Sequence, residues 1–166
     1  DNHKRWIDFS HKLGCETMRV NLSGEDNLEK WTENSVKSLS VLSNYNKDLN
    51  VVVENHGGLS SNGKYLASVM SKVNIDNCGT LPDFGNFCLD GSPSLCAKWY
   101  DIYKGVKELM PYAHAVSAKS YHFDDNGDET SIDYSKMIDI VKDAGYIGYI
   151  GIEFEGNRMS EDEGII

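Results

Sequence analysis

Three acidic side chains stand near the ends of segments that have the pattern of β-strands. Glu54 follows a valine run at 51–53, Asp83 ends a segment that begins at residue 78, and Glu153 lies in the last such segment. The carboxyl ends of parallel strands meet at one end of a barrel, so we expect these carboxylates to converge. Carboxylate oxygens bind divalent cations such as Mg2+ or Mn2+, and a histidine among them would admit Zn2+ or Co2+. The pattern therefore predicts a divalent metal site.

Glu54 and Glu153 each have a second chemical group nearby in the sequence. Side chains alternate along a strand, which places His56 on the face of Glu54 and Glu155 on the face of Glu153. A carboxylate with an imidazole is a candidate ligand and proton-transfer pair, and the alternative is a turn carboxylate beside a surface histidine. Two acidic groups beside apolar residues cost free energy unless a cation or hydrogen-bond donors meet them, which favours a functional role for Glu153 and Glu155.

Helical and strand patterns alternate along the whole chain. Successive strands are about 30–35 residues apart, which is the length of a βα unit, and the intervening helices indicate parallel strands with right-handed crossovers. Strands are predicted at 17–22, 51–53, 78–83, 113–119 and 149–153, and helices at 4–14, 26–46, 63–73, 94–110 and 133–144.

Two architectures fit this alternation. A doubly wound sheet normally has a glycine-rich turn after its first strand, and residues 22–26, LSGED, have no such fingerprint. A (β/α)8 TIM barrel places functional side chains at many strand ends, but a whole barrel takes about 250 residues. The 166 residues therefore predict a single domain over 1–166 that is the C-terminal part of a barrel, about five βα units.

The composition limits the classes of partner. The net charge of -10 disfavours binding to phosphate backbones, so nucleic acid is not expected as a partner. No stretch reaches the roughly 20 apolar residues that cross a bilayer, so no membrane partner is expected. We expect a cytoplasmic protein, although an N-terminal export signal could have been lost.

The four cysteines, Cys15, Cys78, Cys88 and Cys96, form no C-x-x-C pair. Neither a zinc knuckle nor a redox motif is indicated, because both use closely spaced cysteines. We expect free thiols, most of them buried.

Four motifs, VVVENHGG, GTLPDFGNF, AVSAKSY and GYIGYIGIEFEG, resemble in order and spacing the xylose isomerase-like TIM barrel superfamily. The resemblance runs from about Met18 to Gly164 and is greatest to proteins described as sugar phosphate isomerases or epimerases. It implies a divalent metal held by Glu, Asp, His and Glu from the last four strands. Glu54, Asp83 and Glu153 match the first, second and fourth of these ligands.

The third ligand is where the sequence departs from the family. The usual motif at that strand is H-x-H-x-K-D, and alignment on Lys119 places Ala115 and Ser117 at the two histidine positions. His122 and His56 are candidate replacements.

The resemblance implies an aldose-ketose isomerase or ketose epimerase that acts on a sugar or sugar phosphate and that could form a homo-oligomer. Glu54 and Glu153 are then the acid/base pair as well as metal ligands. Lys119 is a candidate to stabilise an enediolate oxygen or a phosphate, and the alternative is a solvated lysine. Further candidate contacts to substrate hydroxyls are Arg19, Asn21, His56 and Asn86.

Three other functions remain open from the sequence. A dehydratase or lyase acting on a sugar or cyclitol would use the same enediolate to expel a neighbouring hydroxyl. Endonuclease action on abasic DNA occurs in the same superfamily, but the acidic composition argues against it. Ser117 at the histidine position supports a non-catalytic sugar-binding module that has lost its metal.

Overall fold

A computed structural model describes residues 2–91 and 95–166 of the chain. Strands and helices alternate, with an additional short hairpin in the middle. The strands are β1 (Thr17–Val20), β2 (Asn50–Glu54), β3 (Cys78–Leu81), β4 (Cys88–Asp90), β5 (Lys98–Trp99), β6 (Val116–Ser120) and β7 (Ile150–Phe154). The helices are α1 (Asn2–Lys12), α2 (Leu28–Tyr45), α3 (Gly63–Val73), α4 (Ile102–Leu109), α5 (Tyr134–Asp143) and α6 (Glu161–Ile165).

Five parallel strands form one series in chain order. β1, β2 and β3 pair in parallel, and β6 pairs in parallel with β7. Isolated parallel bridges, Thr80 with Ala113 and Asp83 with Ser117, connect the β3 region to β6. Each new strand therefore lies beside the preceding one, as in a TIM barrel, whereas a doubly wound sheet reverses its strand order. The predicted barrel portion with five parallel strands is confirmed.

The core lies between these strands and the helices that follow them. The three valines of β2 at 51–53 are completely buried, because a parallel strand in this fold is covered on both faces. The helices contribute one apolar stripe each, which is why their apolar residues recur at helical spacing. Fully buried helix side chains include Leu39, Leu66, Leu109 and Met137.

Short polar side chains fix where the helices begin. Asn27, Asn62, Asp101 and Asp133 each accept a hydrogen bond from the backbone N–H three residues later. An N-cap of this kind satisfies a backbone donor that has no partner within the helix.

Asn77 connects the end of α2 to the start of β3. Its buried side-chain amide donates to the backbone carbonyls of Ser43, Asn46 and Leu49 at 3.0, 2.9 and 3.0 Å. These carbonyls belong to the chain reversal between α2 and β2, so a single amide holds the loop that places β2 beside β3.

The helix predicted at 94–110 is wrong in its first part. Residue 94 lies outside the described residues, and Lys98 and Trp99 form β5, which pairs antiparallel with β4. α4 begins only at Ile102, because Asp101 accepts from the N–H of Lys104 and caps the helix there.

The prediction of free thiols is wrong for two of the four cysteines. Cys88 and Cys96 form a disulfide across the β4–β5 hairpin. Cys78 is free and buried as expected, whereas Cys15 is free and exposed. The hairpin brings Cys88 and Cys96 together, and their spacing of eight residues does not by itself predict a pair.

The last strand of the series is only partly covered. Ile152 of β7 is 64% exposed, and Tyr149, directly before this strand, is 89% exposed. In a closed barrel the next unit covers such positions.

No helix among residues 2–91 and 95–166 is both long and apolar enough to cross a membrane.

We expect Asn77→Ala to lower the free energy of unfolding by about 2–3 kcal/mol, because two buried carbonyls and one partly buried carbonyl lose their donor. Chemical denaturation measures this change. Asn34→Ala, at an exposed position of α2, is the matched control and should change stability by less than about 0.5 kcal/mol. Equal effects of the two substitutions would show that Asn77 does not hold the loop.

Candidate active site

The carboxylates of Glu54, Asp83 and Glu153 converge at the carboxyl ends of β2, β3 and β7. One oxygen from each lies within 4.8 Å of the other two. Glu54 and Asp83 are buried, at 1% and 0% exposure, while Glu153 is partly buried. The structure thus brings together the three carboxylates that the sequence predicted to meet.

Asp83 is held rigidly, yet one of its oxygens lacks a protein partner. Oδ1 accepts from the backbone N–H groups of Gly85 and Asn86, both at 2.8 Å, and the Asp83 N–H donates to Asn55 Oδ1 at 2.8 Å. Oδ2 is buried and has no hydrogen-bond partner. Burial raises the pKa of Asp83 to about 7, although the charge of Lys119 acts to lower it. A buried carboxylate oxygen with no donor is costly, and a cation would remove that cost.

Glu54 is oriented from both sides. Asn86 donates its side-chain amide to Oε1 at 3.0 Å. Arg19, from the neighbouring strand β1, pairs with Oε2. The predicted contacts Arg19 and Asn86 therefore lie against the carboxylate cluster.

Lys119 of β6 lies beneath the cluster with its side chain 1% exposed. Its ammonium donates to Glu153 Oε1 at 2.8 Å and to Glu155 Oε2 at 3.0 Å. Burial acts to lower the pKa of Lys119, but the hydrogen bond to Glu153 and the charge of Asp83 outweigh it, so the pKa is raised. The alternative of a solvated lysine is excluded by this burial.

Ser117, at the family's histidine position, donates its hydroxyl to Glu153 Oε2 at 2.8 Å. Burial acts to raise the pKa of Glu153, but the bonds from Lys119 and Ser117 hold it below its usual range. The serine thus acts on a carboxylate of the cluster.

Gly85 makes room for the buried lysine. A Cβ at this position would lie 2.8 Å from Cγ of Lys119 and would collide with the hydroxyl of Tyr121. The glycine of the DFGN sequence is therefore needed for close packing of the β3 end against β6.

The charges of the site favour a bound divalent cation. Four carboxylates, those of Glu54, Asp83, Glu153 and Glu155, surround two cationic groups, which leaves a formal charge of −2 when all are ionised. Charges removed from water must be balanced or neutralised. The three converging oxygens, one of them without a partner, fit a hard divalent cation.

Neither histidine proposed as a replacement ligand joins the cluster. Among the described residues, the group of acidic and imidazole side chains close enough to share an ion contains only Glu54, Asp83 and Glu153. His56 and His122 instead line a neighbouring cavity.

That cavity has a volume of about 850 Å3, and residues bonded to the cluster line it, although Glu54, Asp83 and Glu153 themselves do not. Asn86, which is bonded to Glu54, and Glu155, which is bonded to Lys119, both line it. Asn21 does not: it lines a separate cavity of about 700 Å3 along α2. The structure therefore separates Asn21 from the other predicted substrate contacts.

Several residues of the site have no clear signal in the sequence. Asn55, next to Glu54, bonds the backbone of Asp83, yet strand alternation suggests only that it points away from Glu54. Trp99 and Tyr121 line the cavity, and Trp99 reaches it only because of the unpredicted hairpin.

Residues 1–166 match the family model described as xylose isomerase-like TIM barrel.

A D-psicose 3-epimerase from Clostridium cellulolyticum, solved with D-tagatose, has a TM-score of 0.70 and 12% identity, covering 98% of this chain and 57% of that chain. A D-allulose 3-epimerase from Methylomonas sp., solved with D-allulose, has a TM-score of 0.68 and 15% identity, covering 90% and 53%. A xylose isomerase domain protein from Planctomyces limnophilus has a TM-score of 0.62 and 17% identity, covering 92% and 57%. At these identities the likeness shows the fold, and the chain spans little more than half of these structures.

Two curated relatives match a short segment. The 3'-dehydrocarminate deglycosidase alpha subunit of Microbacterium sp. is 42% identical over 48 residues, which are 29% of this chain and 14% of the relative. The C-glycoside deglycosidase alpha subunit of Arthrobacter globiformis is 33% identical over 54 residues, 32% of this chain and 15% of the relative.

We expect Asp83→Asn to make the metal-free protein less sensitive to rising pH. The pKa of Asp83 is raised by burial to about 7, so its contribution to stability is present below about pH 4 and is lost as the pH rises through 7. Wild-type protein in EDTA should therefore lose roughly 2–3 kcal/mol more stability than the variant between pH 5 and pH 8. Thermal unfolding at both pH values measures the difference.

The control for this experiment is Asp76→Asn at an exposed position, which should follow the wild type. Added Mn2+ should stabilise the wild type at pH 8 and leave Asp83→Asn unchanged. Parallel pH profiles for wild type and Asp83→Asn would rule out a costly buried charge at Asp83.

Proposed function

The chain belongs to the xylose isomerase-like TIM barrel family, and from that premise we propose that it is a divalent-metal-dependent sugar isomerase or epimerase that moves a proton next to a carbonyl. The observation that carries the proposal is the convergence of three carboxylates from three strands, with Asp83 Oδ2 buried and unpartnered. The epimerase structures of similar fold support the same class of reaction.

Glu54, Asp83 and Glu153 are the residues that would hold the cation. Their all-oxygen donor set favours Mg2+ or Mn2+. A preference for Co2+ or Zn2+ would be expected only if a nitrogen ligand joined the three carboxylates. When bound, the cation supplies Lewis-acid chemistry, polarising a substrate carbonyl and an adjacent hydroxyl.

Glu54 and Glu153 then act as base and acid. One carboxylate removes the proton from the carbon next to the carbonyl, which leaves an enediolate, and the other carboxylic acid returns a proton. Return to the opposite face of the same carbon gives an epimer, and return to the neighbouring carbon gives an isomer. Asn86 and Arg19 orient Glu54, while Lys119 and Ser117 orient Glu153.

The sugar would occupy the cavity beside the cluster. His56 and Asn86 line this cavity and can donate to or accept from sugar hydroxyls. We propose that Lys119 acts by holding Glu153 and Glu155 in place, since its ammonium is already bonded to both.

A second candidate is an elimination on an oxidised sugar. The same proton removal can expel a leaving group from the neighbouring carbon, and the two segmental relatives are named deglycosidases. Analysis of products in D2O separates the two reactions, because isomerisation retains every substrate atom apart from exchanged hydrogen, whereas elimination releases a second product.

The Cys88–Cys96 disulfide favours an oxidising compartment over the expected cytoplasm. Disulfides form and persist outside the reducing cytosol.

We expect Glu54→Gln and Glu153→Gln, each in the full-length protein with Mn2+, to lower turnover of a ketose substrate at least about 1,000-fold, because each removes an acid/base group. Proton NMR in D2O measures both turnover and deuterium incorporation next to the carbonyl. Glu29→Gln, in the first turn of α2, is the control and should keep full activity. Retained turnover in either active-site variant would exclude that residue as the acid or base.

We expect Ser117→His to shift the metal preference towards Co2+ and Zn2+. The new imidazole would add a nitrogen ligand beside Glu153, and nitrogen donors favour these metals over Mn2+ and Mg2+. Isothermal titration of the metal-free protein should show the Zn2+ to Mn2+ affinity ratio rising at least tenfold. Ser131→His, on the cavity wall, is the control, and an unchanged ratio in Ser117→His would place residue 117 outside the metal site.

A further inference from the structure

Among its described residues, the cavity that contains Asn86 and Glu155 lacks the permanently charged cationic groups that most often bind phosphate. No lysine or arginine of the described chain lines it, although these are the residues that usually bind a phosphate group. The two nearby cations are already paired, Lys119 with Glu153 and Glu155, and Arg19 with Glu54. A phosphorylated sugar would find no unpaired cationic side chain among the cavity-lining residues.

The loop after β7 places no lysine or arginine on the cavity wall. TIM barrels frequently bind phosphate at the loops that follow their last two strands. Here the loop after β7 places Glu155 and Asn157 on the cavity wall, and the segment after β6 places Tyr121 and His122 there. Glu155 is already paired with Lys119 at 3.0 Å, so this part of the wall offers no positive charge to a phosphate dianion.

Another part of the wall is apolar and aromatic. Trp99 of β5, Ile102 at the start of α4 and Ile132 before α5 all line the cavity. Trp99 is 48% exposed although it is a large apolar side chain. A sugar hydroxyl gains no hydrogen bond from the two isoleucines or from the face of the Trp99 ring, whereas a planar apolar group gains contact area and ring stacking there.

The hairpin that carries Trp99 is held in place before any ligand binds. The Cys88–Cys96 disulfide closes it, the N–H of Ala97 donates to Asp90 at 2.9 Å, and the N–H of Tyr100 donates to Phe87 at 2.9 Å. These bonds hold the backbone that carries Trp99, and a preorganised backbone lowers the entropic cost of ligand binding.

The cavity is also larger than a single monosaccharide requires. Its volume of about 850 Å3 lies in the upper part of the roughly 300–1,000 Å3 range of pockets for drug-sized ligands. Asn86 and Glu155 connect the cavity wall to the carboxylate cluster, while Trp99, Ile102 and Ile132 form the apolar part of the wall.

We propose that the substrate is an unphosphorylated saccharide that carries a planar apolar substituent, with the sugar ring at the carboxylates and the substituent against Trp99. The placement of the sugar ring rests on the proposed function. The choice of an unphosphorylated saccharide rests on the absence of lysine and arginine among the cavity-lining residues of the described chain. The choice of a planar apolar substituent rests on the position of Trp99.

Matched pairs of methyl and phenyl glycosides test the proposal by binding alone. Isothermal titration of the full-length, Mn2+-loaded protein would use methyl and phenyl β-D-glucoside, the corresponding galactosides and xylosides, and D-fructose with its 6-phosphate. We expect at least one phenyl glycoside to bind tenfold or more tightly than its methyl partner, and D-fructose 6-phosphate to bind no better than D-fructose.

Variants of the aromatic wall assign the effect to Trp99. Trp99→Ala should reduce the phenyl preference to less than threefold and leave methyl glycoside affinity within twofold, while Trp99→Phe should retain most of the preference. Trp6→Ala removes an exposed tryptophan of α1, away from the cavity, and should change neither affinity. A Trp99→Ala variant with an unchanged phenyl preference would overturn the placement of the substituent.

Other outcomes separate this proposal from the proposed function. Tighter binding of D-fructose 6-phosphate than of D-fructose, equal binding of phenyl and methyl glycosides, or no binding of any glycoside would overturn the substrate class. If a ketose exchanges deuterium but phenyl and methyl glycosides bind equally, the isomerase function is retained and the inference about the substituent is rejected. If the phenyl preference depends on Trp99 but no sugar exchanges protons, the inference about the substituent is retained and the isomerase function is rejected.

Discussion

Lys119 places an ammonium group against the carboxylates of Glu153 and Glu155, where its side chain is only 1% exposed. Its bonds to Glu153 and Glu155 hold the end of β7 against β6, and its charge opposes the rise in the pKa of Asp83. Without this cation, the acidic groups would repel one another in a poorly solvated space. The lysine is therefore a condition for the convergence of the carboxylates, and Gly85 leaves the space that the lysine needs.

Ser117 changes the chemistry of the site without changing the strand that carries it. Its backbone accepts from the N–H of Phe84 and donates to Pro82, so β6 keeps its place beside the β3 end. Its hydroxyl reaches Glu153. A serine cannot supply the nitrogen ligand of a histidine, so the carboxylate oxygens of Glu54, Asp83 and Glu153 form the candidate donor set. For this reason we propose a metal site whose protein ligands are carboxylate oxygens.

The strands and the loops of this protein have different roles. The strand ends place the reacting carboxylates, whereas the hairpin of β4 and β5 and the loops after β6 and β7 shape the cavity. Loop-borne side chains can vary on a rigid scaffold, which is how one barrel serves many substrates. Trp99 and Glu155 are side chains of this hairpin and these loops, and both lie on the cavity wall, where they influence which ligand can bind.

The sequence by itself determined the alternation of strands and helices, the barrel class and the convergence of Glu54, Asp83 and Glu153. These follow from periodicity and from the rule that parallel strand ends meet, which depend on local pattern. Only the tertiary structure decided the Cys88–Cys96 pair, the β4–β5 hairpin and the cavity position of Trp99, since each depends on how a loop folds back. It also decided that His56 and His122 line the cavity instead of joining the carboxylates, because a few residues of loop after a strand end suffice to redirect a side chain.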